Sequence, residues 1–291
     1  MDGKSESVRQ ARESFDRALR SQTYTEIIRD DRQKEILLDI LDGGVYNRIL
    51  DIGTGTGYLA FALAKAYPHA LVCGIDIAQG IMEENRRRAQ SGGFSNLVFQ
   101  TFDGLAYPFE DGTFDLIVSR YAFHHFPDPG NAVRQMHGLL RPGGRVLLSD
   151  PVRATQDRDG IMDRFMRIKQ DGHIRFYARE ELETLFTAAG FSVGERRATY
   201  MSFPFAPRKE YELLYDTLTD QDRGCYGIMS KRHSPLTLLN RECAAAHGGQ
   251  GIMSKRHSPL TLLNGECAAA DNIMTIWVEK MEVGNTIFIK M

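Results

Sequence analysis

Three glycines at alternate positions, Gly53, Gly55 and Gly57, follow the short apolar run Arg48–Ile52 and precede an apolar pattern of helical spacing. Glycine lets a turn tighten and lets the backbone approach a ligand closely, and a helix that begins there offers free N–H groups. The order strand, glycine loop and helix therefore predicts a site for a nucleotide-like ligand. Asp51 lies at the end of the predicted strand, where its carboxylate can face a cationic group of that ligand.

A second acidic residue, Asp76, ends the next predicted strand, 25 positions after Asp51. A carboxylate at this place accepts hydrogen bonds from the hydroxyls of a ribose in nucleotide-binding sheets. Two alternatives stay open on these residues alone, namely a solvated strand-end aspartate and a glycine turn without function. The letters Gly55-x-Gly57-x-x-Ala60 also satisfy a dinucleotide-binding pattern, so a nicotinamide cofactor is a further alternative.

The charge balance and the apolar patterning limit the partners. The chain carries 36 basic and 38 acidic side chains, which argues against a nucleic-acid-binding surface as its main feature. Its polar, acidic start predicts no secretory signal, and no apolar run reaches the roughly 20 residues that span a bilayer. The cysteines show no metal-binding spacing, so we expect reduced thiols, no metal and a cytoplasmic location. They are Cys73, Cys225, Cys243 and Cys267.

Apolar runs and helical patterns alternate along the chain, which predicts a parallel sheet with helices on both faces. The predicted strands are Arg48–Ile52, 71–75, 96–101, 112–119, 145–149 and 191–202, followed by a closing hairpin of 274–279 and 285–290 around Glu282-Val-Gly-Asn285. The predicted helices are 31–41, 58–67, 78–90, 128–140, 156–169, 179–189 and 208–218. The helical residues before the first strand are either a lid over the glycine loop or a cover for the sheet edge.

One segment is repeated almost letter for letter, since residues 227–246 recur as residues 251–270 with a single difference, Arg241 against Gly265. A near-identical pair predicts a recent tandem duplication, because a solenoid needs about three units to bury a core. Each copy holds a Ser-Pro helix start, so we expect a helical insert. The predicted division is a helical lid in 1–45, the core in 46–226, the insert in 227–272 and closing strands in 273–291.

Six ordered motifs make the chain resemble the class I S-adenosylmethionine-dependent methyltransferases, and among them the ubiquinone/menaquinone C-methyltransferase-like group. The resemblance covers about residues 31–200. It implies a doubly wound, seven-stranded Rossmann-like α/β sheet with an antiparallel last strand, and S-adenosyl-L-methionine as cofactor. The matching letters are Leu50-Asp-Ile-Gly-Thr-Gly-Thr-Gly57, Gly74-Ile-Asp76, Phe102-Asp103 with Tyr107-Pro-Phe109, Asp111-Gly-Thr-Phe-Asp115, Phe123-His-His-Phe-Pro-Asp128 and Leu140-Arg-Pro-Gly-Gly144.

The resemblance also implies roles for individual residues. Asp51 and the glycine loop are expected at the methionine end of the cofactor, Asp76 at its ribose and Asp103 at its adenine amino group. This family often has a small or polar residue where the chain has Arg120. The size and charge of the arginine are therefore expected to shape a pocket for an acidic substrate. Tyr24 is expected to close over the cofactor. The full set of expected cofactor-binding residues is Tyr24, Asp51, Gly53, Thr54, Gly55, Gly57, Asp76, Ile77, Asp103, Gly104 and Arg120.

His124 and His125 follow the fourth predicted strand, where a general base would sit in this fold. Holding donor and acceptor in line supplies most of the acceleration of methyl transfer. A base is needed only when the acceptor is a carbon acid or a hydroxyl that must lose a proton. The alternative is that one histidine packs in the core and the other shapes the loop.

The expected function is therefore methyl transfer from S-adenosylmethionine to a small molecule, with carbon, oxygen and nitrogen acceptors left open. One alternative is a non-catalytic S-adenosylmethionine-binding protein, disabled or repurposed by the repeated segment. A nicotinamide-dependent oxidoreductase is the other, although it predicts neither the Asp103 motif nor the Arg-Pro-Gly-Gly turn. No nucleic acid and no membrane span are expected, and a homodimer is left open.

Overall fold

The computed structural model of the chain describes residues 8–9, 11–15, 30–205, 208–233 and 273–291. The chain divides into two compact units, one of Met1–Met201 with Met281–Met291 and the other of Ser202–Lys280. Tyr24 and residues 234–272 lie outside the described residues. All the other predicted site residues belong to the first unit.

The strands form one sheet with the order β3-β2-β1-β4-β5-β8-β6, and β7 pairs with β8 beside this path. The pairs β1–β2, β1–β4, β2–β3 and β4–β5 are parallel, and β5–β8 is antiparallel. This confirms the doubly wound sheet with an antiparallel last strand, but the sheet has eight strands and not the expected seven, because β7 adds to it. The strands are β1 Arg48–Ile52, β2 Leu71–Asp76, β3 Leu97–Thr101, β4 Phe114–Arg120, β5 Leu140–Pro151, β6 Phe191–Pro204, β7 Ile228–His233 and β8 Ile273–Lys290.

Two helices of the first unit begin at an aspartate that caps them. The carboxylate of Asp30 accepts the N–H of Gln33 at 3.0 Å, and that of Asp128 accepts the N–H of Asn131 at 3.0 Å. Within the described ranges, no helix is long and apolar enough to cross a membrane. The α-helices are α1 Asp31–Ile40, α2 Tyr58–Ala66, α3 Gln79–Ser91, α4 Pro129–Leu139, α5 Ile161–Lys169, α6 Arg179–Ala188, α7 Lys209–Asp216 and α8 Asp220–Tyr226.

Alternate residues of the strands point to opposite faces of the sheet, and each face has its own buried cluster. On one face Ile49 and Val72 pack with α1, α2 and α3. On the other face Leu50 and Cys73 pack with α4 and α6. Both faces are thus covered, and the loops at the carboxyl edge of the parallel strands remain available for a site.

The predicted closing hairpin is wrong, because β8 runs without a turn from Ile273 to Lys290. The stretch that looked like a turn is extended and pairs with β5, with Gly284 opposite Asp150 and Asn285 opposite Ser149. Asn285 is fully buried. A Cβ at Gly284 would lie 2.9 Å from Val152, so the glycine permits close packing.

Several other boundaries differ from the prediction. Strand β5, for example, begins at Leu140 and not at Arg145. Residues 228–233, expected in a helical insert, form strand β7 and pair with β8. Helix α5 begins at Ile161 and not at Gln156, because the carboxylate of Asp157 accepts the N–H of Ile161 at 2.7 Å and so caps it.

Candidate active site

The carboxyl ends of β1, β2 and β4 bring Asp51, Asp76 and Arg120 to one edge of the sheet. Parallel α/β sheets bind their ligands at this edge. A cleft opens there, with about 970 Å³ of space when its open mouth is included, which is enough for a nucleoside-sized ligand.

The glycine loop, residues 53–57, follows the end of β1, and its glycines leave the backbone uncovered there. The N–H groups of Gly53 and Thr54 both donate to the carbonyl of Ile75, at 2.9 and 3.0 Å. Gly53 has φ of +71°, and a Cβ there would lie 2.3 Å from the Cβ of Ala122. Only glycine satisfies both constraints, so the loop depends on this residue.

Asp76 holds the loop from the neighbouring strand. Its Oδ2 accepts the N–H of Gly55 at 2.9 Å, and its Oδ1 accepts the N–H of Ala78 at 3.0 Å. The side chain lines the cleft although the residue is only 8% exposed. The carboxylate therefore stands where a ligand hydroxyl can reach it, in a conformation that the backbone already fixes.

Asp51 is buried at the floor of the cleft. The hydroxyl of Thr54 donates to its Oδ2 at 2.7 Å. The pKa of Asp51 is raised to about 7, mainly by burial and to a smaller extent by the nearby Asp76, although Thr54 and Arg120 act to lower it. A raised pKa means that the carboxylate is incompletely compensated. A cationic ligand group beside Asp51 would supply the missing charge.

Arg120 ends β4 and lines the same cleft. The carbon of its guanidinium lies 4.0 Å from the ring centre of Tyr121 and 5.2 Å from that of Tyr58, and its Nε donates to Oε1 of Gln33 at 2.8 Å. Tyr121 has φ of +55°. Backbone strain of this kind clusters at ligand sites, because the surrounding structure must hold it in place.

The two candidate histidines lie in different environments. His124 is buried, with Nδ1 2.9 Å from Oδ2 of Asp150, and its backbone N–H donates to the same oxygen at 3.1 Å. Burial lowers the pKa of His124 to about 3 and raises that of Asp150 to about 7. His125 lines the cleft, and among the described residues nothing hydrogen-bonds to its buried Nδ1. Burial lowers the pKa of His125 to about 3, so its imidazole is neutral.

A third histidine stands behind these two. The Nε2 of His173 lies 2.7 Å from Oδ1 of Asp163, and its ring centre lies 5.4 Å from that of His124 and 6.1 Å from that of His125. The part of the chain that the structure describes contains no set of three His, Cys, Asp or Glu side chains that could hold a metal ion. The histidine cluster is therefore a hydrogen-bonded and packed assembly.

Helical residues 8–9 and 11–15 contribute apolar side chains to the cleft. Val8, Ala11 and Phe15 line it, and the ring of Phe15 meets that of His125 edge-on at 4.9 Å. Gly172 has φ of +78°, and a Cβ there would lie 2.6 Å from the Cβ of Ala11. The described part of the predicted lid thus lines the cleft, and Gly172 makes its close approach possible.

The structure brings most of the predicted site residues to the cleft and leaves three outside its lining. Gly57, with φ of +74°, packs against Phe61 and begins α2. Asp103 is exposed and accepts the N–H groups of the two residues at 105 and 106. His124 is the third. The predicted residues that line the cleft are Asp51, Gly53, Thr54, Gly55, Asp76, Ile77, Gly104, Arg120 and His125.

The residues in and beside the cleft that were not predicted include Gln33, Asp150 and Tyr121, and the first two left a signal in the sequence. Gln33 shares the buried face of α1 with Leu37 and Ile40, so it is a polar residue at core spacing. Asp150 follows the fifth predicted strand as Asp76 follows the second. Tyr121 left no signal, because a positive φ at tyrosine is set by tertiary contacts.

Comparison with known proteins gives the family. The family model described as a methyltransferase domain, Methyltransf_23, matches residues 16–195. The chain is 33% identical over 172 residues to the demethylmenaquinone methyltransferase of Thermus thermophilus, covering 53% of this chain and 78% of that protein. It is 35% identical over 147 residues to the uncharacterized methyltransferase YcgJ of Bacillus subtilis, covering 49% of this chain and 56% of YcgJ. The alignment therefore spans just over half of YcgJ.

Solved structures show the same fold. The crystal structure of YcgJ matches with a TM-score of 0.67 at 21% identity, covering 90% of this chain and 99% of that one. Phosphoethanolamine N-methyltransferase 2 of Haemonchus contortus, in complex with S-adenosylhomocysteine, matches with a TM-score of 0.60 at 18% identity, covering 96% of this chain and 60% of that one.

The chain belongs to the methyltransferase-domain family, and within it to the S-adenosylmethionine-dependent enzymes of class I. Independently of the family match, the geometry of the cleft fits S-adenosylmethionine. A glycine loop without room for a Cβ, an incompletely compensated Asp51 and a strand-end Asp76 form one cradle. The family and this cradle together favour the methyl donor over the nicotinamide alternative.

Proposed function

We propose that the chain transfers the methyl group of S-adenosylmethionine to a small molecule that binds in the same cleft. The observation that carries this proposal is the position of His125, whose imidazole lines the cleft that Asp51, Asp76 and Arg120 also line. The Thermus relative is named for a quinone precursor, which supports a small-molecule acceptor.

The donor side of the proposal assigns the cofactor to the glycine loop. Asp51 would face its ammonium group, and Asp76 would accept hydrogen bonds from its ribose hydroxyls. Ile77 and Gly104 would flank its base, and Asp103 would accept a hydrogen bond from the adenine amino group. Gly57 would belong to the glycine loop at the methionine end, and Tyr24, which lies outside the described residues, would close over the cofactor. The bound cofactor supplies an electrophilic methyl on sulfur, which is transferred by in-line displacement.

The acceptor side assigns proton removal to His125. A neutral imidazole offers a lone pair, but burial lowers the pKa of His125 to about 3, so the ring is a weak base unless its protonated form is stabilised when the acceptor is bound. The charge of Asp171 and the backbone of Gly172 favour the protonated ring, so they would stabilise the cation that forms when a proton is taken up. This role suits an acceptor with a hydroxyl or an acidic C–H group.

The aromatic and apolar lining bears on the acceptor's shape. Phe15, Tyr58, Tyr121 and Phe126 line the cleft together with small apolar residues. Aromatic side chains bury large apolar areas. We propose a largely apolar acceptor, such as a phenol, quinol or hydroxylated polyketide, over a charged amine.

The first experiment measures formation of S-adenosylhomocysteine from S-adenosylmethionine with a panel of quinols, phenols and hydroxylated polyketides. The proposal expects turnover with at least one of them. Calorimetry with S-adenosylhomocysteine runs in parallel. Tight binding without turnover on the whole panel would favour a non-catalytic binding protein.

The second experiment compares His125→Gln with His69→Gln, a change at an exposed histidine. Losing a positioned base lowers kcat by about 10²- to 10⁴-fold. We expect that loss for His125→Gln alone, with the affinity for S-adenosylhomocysteine unchanged. An unchanged kcat would remove His125 from the chemistry and leave it a packing role, and His124→Gln would then be tested in the same assay.

The proposal includes a cytoplasmic enzyme without a nucleic-acid partner. Cell fractionation with an antibody to the chain tests the location, and recovery in the membrane pellet would contradict it. Light scattering on the purified chain distinguishes a monomer from a homodimer, which the proposal leaves open.

A further inference from the structure

Gln33 is a buried polar residue on the apolar face of α1, only 2% exposed. Its Oε1 accepts a hydrogen bond from Nε of Arg120 at 2.8 Å, and its Nε2 donates to Oγ of Ser149 at 3.4 Å. A buried amide without partners is costly, so these contacts account for its presence in the core. They also link the cleft to the interior of the sheet.

The chain of hydrogen bonds continues behind Gln33. The hydroxyl of Ser149 donates to Oδ1 of Asn285 at 2.7 Å, and Nδ2 of Asn285 donates to the carbonyl of Arg197 and to Oγ1 of Thr199, each at 3.1 Å. Strands β5, β6 and β8 therefore anchor the amide of Gln33. A group fixed in this way can hold a neighbour in one orientation.

The neighbour is the guanidinium of Arg120. The bond to Gln33 fixes its Nε, and the ring of Tyr121 covers it at 4.0 Å. A planar guanidinium held at both places presents a directed set of donors, which suits a carboxylate.

Arg120 and Asp51 place opposite charges in one cleft, close enough for Arg120 to lower the pKa of Asp51. The amino-acid group of the methyl donor is a zwitterion, with an ammonium and a carboxylate on the same carbon. A site with a carboxylate and a guanidinium is complementary to both charges. Asp51 alone would leave the ligand's carboxylate without a cationic partner.

We propose that Gln33 is a positioning residue that orients Arg120 to bind the α-carboxylate of the methyl donor. This inference rests on the donor assignment of the proposed function. It replaces a general role of Arg120 in shaping the pocket with one specific contact, to the α-carboxylate of the methyl donor. An acidic methyl acceptor as the partner of Arg120 is the competing outcome.

The test uses two ligands that differ in the amino-acid group. S-adenosylhomocysteine has it, and 5′-methylthioadenosine lacks it while keeping the ribose and the base. Calorimetry on the full chain measures both affinities for the wild type, Arg120→Met and Gln33→Met. Loss of charge-assisted hydrogen bonds lowers affinity by about 10- to 100-fold, which we expect for S-adenosylhomocysteine with Arg120→Met. We expect a smaller loss with Gln33→Met and unchanged binding of 5′-methylthioadenosine by both variants.

Two controls separate positioning from folding. Arg87→Met removes an exposed arginine from α3 and should change neither affinity. The double variant Gln33→Met with Arg120→Met should bind S-adenosylhomocysteine no worse than Arg120→Met, because Gln33 acts through Arg120. If Arg120→Met does not fold, Arg120→Lys keeps the charge, loses the planar fork and should show the same ligand selectivity to a lesser degree.

The outcomes are distinct. Equal losses for both ligands would show that Gln33 and Arg120 only support the fold, and this would overturn the inference. Unchanged binding of S-adenosylhomocysteine by Arg120→Met would also overturn it and favour an acidic acceptor. A wild type that binds neither ligand would contradict the donor assignment itself.

Discussion

The two sides of the cleft are held together in different ways. The glycine-loop edge, defined as residues 51–57 with Asp76, is fixed by near neighbours, since Thr54 bonds to a residue 3 positions away and Gly55 to one 21 positions away. The histidine wall, defined as residues 120–125 with Gln33 and Phe15, is fixed over longer separations. Arg120 bonds to a residue 87 positions away, and Gln33 bonds to one 116 positions away.

The two sides are expected to bind different ligands, the methyl donor at the glycine-loop edge and the methyl acceptor at part of the histidine wall. The glycine-loop edge presents backbone groups and two carboxylates, which fit the part of the methyl donor that does not vary. The histidine wall presents side chains of several types, and two of them, Gln33 and His124, are hydrogen-bonded to residues of β5. We therefore expect acceptor specificity to come from the other residues of the wall, Phe15, Tyr121 and His125, which line the cleft.

The largest expected effect is at the glycine-loop edge. Gly53→Ala places a Cβ 2.3 Å from that of Ala122 and should cost about 2 kcal/mol or more of unfolding free energy beyond the backbone cost. Binding of S-adenosylhomocysteine should be lost. Gly43→Ala is the matched control, because Gly43 has φ of +72° and nothing within 4 Å of the added Cβ.

The control should lose only the backbone cost of about 1 kcal/mol, with binding intact. Denaturant unfolding and calorimetry measure the two quantities. If both variants lost the same stability and kept the ligand, the tight packing of Gly53 against Ala122 would not matter, and this prediction would be wrong.

The next effect distinguishes two aspartates at the same edge. Asp76→Ala should weaken binding of S-adenosylhomocysteine by about 1–3 kcal/mol, since it removes hydrogen bonds to the ribose and to the loop. Asp103→Ala should cost less, because only one contact to the base is at stake and its carboxylate already caps the N–H groups at 105 and 106. Calorimetry on both variants decides, and equal losses would contradict the assignment.

In the histidine wall, His125 should make the unfolding free energy depend on pH. The pKa of His125 is about 3 in the folded chain and ordinary, near 6.5, in the unfolded chain. Below pH 6.5 the unfolded chain binds the extra proton, so stability falls as the pH falls, by up to about 1.4 kcal/mol per pH unit. His125→Gln should therefore flatten the loss of unfolding free energy between pH 7 and pH 5.

The carboxylates with raised pKa, Asp51 and Asp150, act in the opposite direction, since they take up protons in the folded chain as the pH falls. Both are present in the two proteins. Because His125 lowers the pKa of Asp150, its removal lets that pKa rise, which flattens the slope in the same direction as the loss of the histidine. Urea unfolding at several pH values measures the slope, and His69→Gln, a change at an exposed histidine, should leave it unchanged. The same slope in the His125 variant would mean that the ring is not buried in a neutral form.

The smallest effect is expected from the repeat. Deleting residues 227–250 joins Tyr226 to the second copy, whose first seven letters equal residues 227–233. The identical letters can rebuild β7, and the cost of closing a surface segment depends only weakly on its length. Folding and binding of S-adenosylhomocysteine should stay unchanged.

Deleting both copies, residues 227–270, is the matched control. It removes the strand that pairs with β8 along Val278 to Ile273 and should lower the melting temperature. If the variant that lacks only residues 227–250 failed to fold, or lost its ligand, the first copy would have a structural role of its own.

The sequence determined the parts that depend on short-range rules. Glycine spacing, strand periodicity and acids at strand ends gave the order of the elements and the glycine-loop edge, because backbone geometry limits what those letters can do. The same rules were misleading at Glu282-Val-Gly-Asn285, whose turn-like letters lie in a buried strand. There the packing of Gly284 against Val152 outweighed local preference.

Tertiary structure alone decided the histidine wall. Two adjacent histidines look equivalent in the sequence, yet His124 turns to Asp150 in the core and His125 to the cleft. Gln33 stands at core spacing in α1, but the sequence does not show that its partner is Arg120, 87 positions away. Such contacts depend on where the fold brings distant side chains, and no local preference encodes that distance. The sequence therefore determined the glycine-loop edge, and the tertiary structure determined which side chains face it across the cleft.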